Sequence, residues 1–351
     1  MRGREDRLAE KAAERGLDLM LVTHLVNVRY LTGFGGTNGA CVCGPEARLF
    51  LTDFRYTERA AAEAEGWEVV TVEGDWLRGI AERLEGKVGF EDDHLSVRSL
   101  GKLDERVEEV DLTPAGGLVE EMRRVKDEAE LRAIAAAAEL AGEVYSWVLE
   151  RGLRDRTESD VSKAAVARMR ELGAEPAFPP IVAAGPNGAL PHAEPSEREI
   201  GDGELLVFDM GAELDGYCSD CTRTFAVGEP GDEAREVYGL VGRAQEAALE
   251  AIRAGEHGRD LDAVARAVIE EAGHGERFGH GLGHGVGLEV HEAPRLSKAS
   301  EDVLAAGEVV TVEPGVYVPG AFGVRTEDLV VVEEDGVRNL SGLGKDLRVV
   351  E

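Results

Sequence analysis

The sequence predicts an α+β chain of two domains: an amino-terminal α/β domain over residues 1–120, and a carboxy-terminal domain over 121–351 whose helices back antiparallel hairpins. Three observations carry this prediction. Up to about residue 115, strand-like and helical stretches alternate. Pro114, Gly116 and Gly117 then break the pattern, and a long alanine-rich helical stretch begins after Asp127. Beyond it, pairs of helices alternate with hairpins instead of single strands.

The elements follow in order. Residues 4–15 have the spacing of an amphipathic helix. LDLMLVT, GACVCG and RLFLTD are short apolar runs that read as strands; RYTERAAAEAEG reads as a helix and WEVVTVE as a further strand. Strands alternating with helices predict a mixed sheet. In the second domain, helical spacing runs from Asp127 to about Glu150. A second helix covers 157–172, with Thr157 as its cap and Asp160 three residues on. Residues 232–254 and 259–272 supply another pair. LLVFDMGAEL and YCSDCTRTFAVG flank Asp215-Gly216, a two-residue hairpin turn. EVVTVEPGVYV and GVRTEDLVVVEEDG form the other hairpin. The two helix–hairpin blocks leave a diverged duplication open, although no residue-level repeat is visible.

Composition narrows the partners. The net charge is −31, from 39 Lys+Arg against 70 Asp+Glu. Residues 1–120 hold 15 basic and 24 acidic residues, or −9, which leaves −22 for the rest. With both domains acidic, nucleic acid and anionic membrane are poor partners. Such a surface suits high intracellular salt, where screening removes self-repulsion. MRGREDRLAEKAAERG lacks the apolar core of a signal peptide, and no apolar run has the length of a membrane span. The expected location is the cytoplasm. Cys41, Cys43, Cys218 and Cys221 form two close pairs, but both sit in apolar strand-like runs without a knuckle turn. Small buried hydrophobes are a better account of them than a four-thiolate zinc site.

Five residues point to a metal. Asp209 ends the apolar run Leu205–Phe208, and Asp220 lies on the returning strand. With the turn at Asp215-Gly216, Gly211 faces Asp220, so Asp209 and Asp220 are diagonal neighbours on one face, roughly 7–8 Å apart at the backbone. Two carboxylates buried on one face repel unless a cation lies between them. Glu313 follows VVTV and Glu327 precedes DLVVV, with Arg325 a candidate partner for either. The run FGHGLGHGVGLEVHEAP, residues 278–294, carries His280, His284 and His291 among glycines. Glycines on both sides of His284 let the backbone approach a site closely. Four carboxylates and one imidazole make an oxygen-rich set suited to Mn²⁺, Co²⁺, Fe²⁺ or Zn²⁺. Four acids exceed the need of one small ion, and two metals sharing carboxylates would use them all.

FDMGAELDGYCSDCTRTF, FGHGLGHGVGLEVHEAP, TVEPGVYV and RTEDLVVV resemble, in order, the metal-site segments of the pita-bread metallopeptidases, the creatinase/methionine aminopeptidase-like family. The likeness spans about residues 120–345, and VKDEAEL and IVAAGPNGALPHAEP belong to it. The amino-terminal domain, with LTGF and LTDFRY, resembles the creatinase/prolidase branch, so the implied fold is a pita-bread catalytic domain behind a creatinase-like α/β domain. The resemblance implies Asp209, Asp220, His284, Glu313 and Glu327 as ligands of two divalent ions, Mn²⁺ or Co²⁺ before Zn²⁺ or Fe²⁺. Glu313 would also shuttle protons. His192 in LPHAEP would lie on the leaving side of the substrate, and His291 in EVHEAP would steady the tetrahedral intermediate. Arg295 would bind a proline carboxylate, and His280 would stand in the outer shell. The implied activity is that of an archaeal or bacterial Xaa-Pro dipeptidase (prolidase), in which a water shared by the metals is activated as hydroxide and attacks the bond before proline. The implied partners are a small peptide and a second copy of the chain, as a homodimer. The alternatives are an Xaa-Pro aminopeptidase (aminopeptidase P) acting on longer peptides, and C–N hydrolase or lyase chemistry on a small molecule.

Overall fold

The computed structural model describes residues 3–351. The chain divides into two compact units, residues 1–123 and 124–351. The first unit is built on a six-stranded mixed sheet, ordered Glu68–Thr71, Arg48–Thr52, Ala40–Cys43, Leu19–Val22, Lys87–Phe90, Asp111–Pro114. The pairings of Ala40–Cys43 with Leu19–Val22 and with Arg48–Thr52 are antiparallel, and the other three are parallel. Leu19, Leu21, Val42, Leu51 and Val88 form its core against Ile80 and Leu103. The amphipathic helix Arg4–Glu14 buries Leu8, Ala9 and Ala12.

Three helices of this unit carry no clear sequence signal: Leu25–Thr32, Trp76–Ala81 and Val97–Asp104. None exceeds eight residues, little more than two turns, so hydrophobic spacing has no room to declare itself. Helices this short take their stability from packing and caps. Asp75 caps Leu77 and Arg78, and Ser96 caps Ser99.

In the second unit Asp127 caps the helix Glu128–Leu149 and Thr157 caps Glu158–Glu171, each in a reciprocal capping box. The other pair is Asp232–Ala251 and Gly258–Glu271. Between and beyond the pairs lie four sheets. The strand Glu204–Asp209 pairs antiparallel with Thr222–Val227 and with Ile181–Ala184. Its residues alternate between two cores. Leu206 and Phe208 pack with Tyr145, Val161 and Met169 from the first helix pair, while Leu205 packs with Val237, Val241 and Leu261 from the second. Burying each such side chain contributes roughly 1.5–3 kcal/mol, so a strand covered on both faces cannot slip by one residue without inverting both sets. Val309–Val312 pairs with Asp328–Glu333 in a five-stranded sheet that also holds Gly283–Gly285 and Glu292–Leu296. All four cysteines are buried and free. Burial pushes the Cys43, Cys218 and Cys221 thiols up to about 12, which suits packing and not reactivity. Among the described residues, no helix is long and apolar enough to cross a membrane.

Candidate metal centre

The first hairpin keeps one register throughout. Leu214 faces Tyr217 across the Asp215-Gly216 turn, and Asp209 faces Thr222 further along. Gly211 and Asp220 are opposite by the same count. A Cβ on Gly211 would stand 1.9 Å from the Ser219 carbonyl oxygen, so only glycine allows this approach. The second hairpin behaves alike. Val312 faces Asp328 and Gly315 faces Arg325, which sets Glu313 opposite Glu327. At these acids the ribbons cross-connect: Glu313 N donates to Leu282 O at 2.8 Å, and Glu327 N to Thr222 O at 3.1 Å.

The glycines around His284 fill the role the sequence suggested. A Cβ on Gly283 would meet the Thr311 carbonyl oxygen at 2.0 Å, and one on Gly285 would meet that of Ala293 at 2.2 Å. His284 Nδ1 donates to the Gly285 carbonyl at 3.1 Å, which turns Nε2 toward the acids. Nε2 lies 3.4 Å from Glu313 Oε1 and 3.6 Å from Asp220 Oδ2. Ligand atoms of Asp220, His284 and Glu327 all fall within 4.8 Å of one another.

The electrostatics of the cluster call for cations. Burial, then Glu327 and Asp209, pushes Asp220 well above the usual carboxylate range. Burial, then Glu313 and Asp209, does the same to Glu327. Burial raises Asp209 as well, against the pull of Arg325. Glu313 goes the other way: burial is outweighed by the His284 contact and the charges of His284, His280 and Arg325, which take it to about 2. Asp209 Oδ1 and Glu327 Oε1 are buried without a hydrogen-bond partner. Several buried acids that raise one another, with two unpaired oxygens and one oriented imidazole, fit a divalent-metal site and little else.

Arg325 is the correction to the sequence reading. It pairs with neither glutamate. Its Nη2 donates to Asp209 Oδ2, its Nη1 to Pro191 O and Tyr317 Oη at 3.0 Å each, and its Nε to Thr222 Oγ1 at 3.0 Å. The cause is the ladder: Thr222 sits opposite Asp209, and the guanidinium spans both. Thr222 Oγ1 in turn donates to Glu327 Oε2 at 2.8 Å.

The remaining expected residues gather around the same cavity, of about 530 Å³. His192, His280, His291 and Arg295 line it with the four acids and one imidazole above. His291 meets His284 edge-on, with ring centroids 4.4 Å apart. His280 Nε2 is 2.8 Å from Tyr317 Oη, a bond to a phenol and not to an acid of the cluster. Arg295 is directly opposite His284 in the ladder. Among the described residues no carboxylate lies within ion-pair distance of its guanidinium. Sequence reasoning missed Tyr317 and the apolar wall of Phe178, Pro179, Pro180 and Ile181. The FPPI run was the available signal, because two prolines make a stiff segment that cannot join a ladder.

Comparison with known proteins agrees with this geometry. Residues 132–334 match the model of metallopeptidase family M24, and residues 4–125 match the creatinase/prolidase N-terminal domain. A Xaa-Pro dipeptidase of Pyrococcus furiosus is 35% identical over 99% of this chain and 100% of its own. The solved structure of a Xaa-Pro dipeptidase from Bacillus anthracis superposes with a TM-score of 0.96 at 39% identity, covering 99% of each chain. An X-Pro aminopeptidase from Thermotoga maritima superposes at 0.92 with 35% identity, over 99% of this chain and 100% of that one.

Proposed function

The chain belongs to metallopeptidase family M24, and from that premise we propose that it is a two-metal Xaa-Pro dipeptidase. The observation that carries the choice of a dipeptide is Arg295, exposed, opposite His284 and without an ion-pair partner among the described residues. A dipeptide ending in proline offers it a free carboxylate, which a longer peptide does not.

In this proposal Asp209, Asp220, His284, Glu313 and Glu327 hold two divalent ions. When bound, such ions supply Lewis acidity and lower the pKa of water at the site. The chain's own groups do the rest. Glu313 is ionised across the working pH range, so it accepts a proton from the attacking water and passes it to the proline nitrogen. That transfer is needed because an unprotonated nitrogen would have to leave as a strongly basic anion. Burial and then the charge of His284 push His291 below the usual imidazole value, so it is neutral at pH 7 and keeps one N–H for the developing oxyanion. His192 serves the leaving side. Arg295 fixes the carboxylate, and the Phe178–Ile181 wall excludes water from one side of the cavity. Arg325 holds Asp209 in place from behind.

The finer parts of the proposal are Mn²⁺ or Co²⁺ as the native ions, a homodimer, and a cytoplasmic setting rich in salt. The oxygen-rich ligand set supports the first, the resemblance to prolidases the second, and the −31 charge the third. The likeness to the Thermotoga maritima X-Pro aminopeptidase favours one second reading, cleavage of the same bond in longer peptides. The deciding experiment strips the metal, restores Mn²⁺ or Co²⁺, and compares Ala-Pro, Arg-Pro-Pro and creatine. The dipeptidase predicts metal-dependent release of proline from Ala-Pro above all. Faster cleavage of Arg-Pro-Pro would select the aminopeptidase, and turnover of creatine alone would discard both.

A further inference from the structure

Among the described residues one more group of metal-ligating side chains converges, and it lies in the first unit: His24, His94 and Glu120. They come from three segments distant in sequence. His24 precedes the helix Leu25–Thr32, His94 follows the strand Lys87–Phe90, and Glu120 is in the first turn of the helix Leu118–Arg124. The two imidazoles stack with centroids 3.6 Å apart and planes 7° from parallel. His94 Nε2 is 3.7 Å from Glu120 Oε1. One ligand atom from each of the three lies within 4.8 Å of the other two.

The trio is held from behind. Glu91 is buried and accepts from Thr23 N at 2.6 Å, His24 N at 2.7 Å and Asn27 Nδ2 at 2.6 Å. The same Asn27 amide donates to Glu120 Oε1, and its own oxygen accepts from Arg123 Nη1 at 2.8 Å. The His24 backbone and the Glu120 carboxylate therefore hang on one buried amide–carboxylate pair. Outer-shell bonds of this kind orient metal ligands in known sites. His94 is exposed and the other two are half-buried, which leaves a path for an ion.

We propose that His24, His94 and Glu120 bind one divalent transition ion of the Zn²⁺, Ni²⁺ or Cu²⁺ class, with water completing its shell. Two imidazoles and one carboxylate favour these ions over Mg²⁺ and Ca²⁺. Bond lengths of about 2.0–2.1 Å to zinc bring ligand atoms to about 3.3 Å from one another, so the group must close by up to about 1.5 Å. Lone pairs lie in the ring planes, so both stacked rings turn about Cβ–Cγ as the ion enters. Once bound, the ion ties three segments of the first unit to one point.

The test uses the full chain with Asp220→Asn and His284→Ala, which disable the centre in the second unit. Equilibrium dialysis against Zn²⁺, read by elemental analysis, should find one ion per chain in that background. Adding His94→Ala should remove it, and adding Glu120→Gln should weaken it by about tenfold or more. With Cu²⁺ in the same background, the electron paramagnetic resonance spectrum should show coupling to two nitrogens, which needs no variant of the site itself. Absence of bound zinc, a zinc count that His94→Ala leaves unchanged, or a copper signal without two nitrogens would overturn the proposal. His94→Ala in the otherwise natural chain should hydrolyse Ala-Pro at the usual rate, which keeps this question separate from that of the dipeptidase.

Discussion

Replacing Arg295 by alanine separates the two peptidase readings. Cross-strand partners carry Cβ atoms about 4.5–5.5 Å apart, so Arg295, opposite His284, rises beside that imidazole and lines the same cavity. The proline carboxylate is two bonds from the nitrogen that leaves, within reach of that guanidinium. A bidentate pair of this kind involves two charge-assisted bonds. Hydrogen bonds to charged groups are worth about 1.5–3 kcal/mol, which is roughly ten- to a hundredfold in rate. Arg295 is exposed, so screening by water puts the expected loss toward the lower end. The assay is kcat/KM for Ala-Pro and for Ala-Pro-Gly on the natural chain and on Arg295→Ala. Ala-Pro turnover should fall by that factor, and any tripeptide turnover should hold. Arg295→Lys should recover only part, since an ammonium lacks the planar fork. Equal losses on both substrates would refute the carboxylate clamp, and a natural chain that prefers the tripeptide would refute the dipeptidase.

Three further outcomes are expected. Asp209→Asn and His284→Ala should each abolish hydrolysis while circular dichroism stays unchanged; full activity with metal still bound would remove the residue from the ligand set. The metal-stripped chain should lose stability as pH rises above the usual carboxylate range. Asp220 and Glu327 have folded values above their unfolded ones, so the folded state binds more protons, and stability present at low pH is lost as pH rises through the raised values. Melting curves should slope less with pH in Asp220→Asn, and Mn²⁺ should remove the slope in the natural chain; an identical slope in the variant would place its origin elsewhere. Raising KCl from 0.1 to 1 M shortens the screening length from about 10 to about 3 Å, so the melting temperature should rise with salt, and a flat response would argue against a salt-adapted surface.

The parts of the fold that sequence exposes are those with a local cause. Thr157 and Asp127 stand where helix caps must stand, and the structure uses both. Asp215-Gly216 fixes the register of its hairpin, and from that register the opposition of Gly211 to Asp220 follows by counting. The acids at the ends of apolar runs announce themselves because burying a carboxylate there is costly. The rest depends on distant contacts. Arg325 could be matched to several acids by charge alone, and only the packing of Thr222 beside Asp209 selects one. Tyr317 meets His280 and Arg325, and the Phe178–Ile181 wall faces the cavity, through tertiary folding, with no local period to reveal them. His24 and His94 are 70 residues apart, and nothing in either neighbourhood hints at their stacking.

The Nδ1 edge of the central histidine is held by main chain. A carbonyl of its own strand accepts from that edge, and the carbonyls of Thr311 and Ala293 crowd the glycines on either side and fix its depth. Such a part tolerates drift around it: the apolar wall can be remodelled and the carboxylate clamp exchanged without moving Nε2. What is cut can then change independently of how it is cut. The same architecture leaves no room for a side chain at the glycines beside His284, although they carry no chemistry of their own.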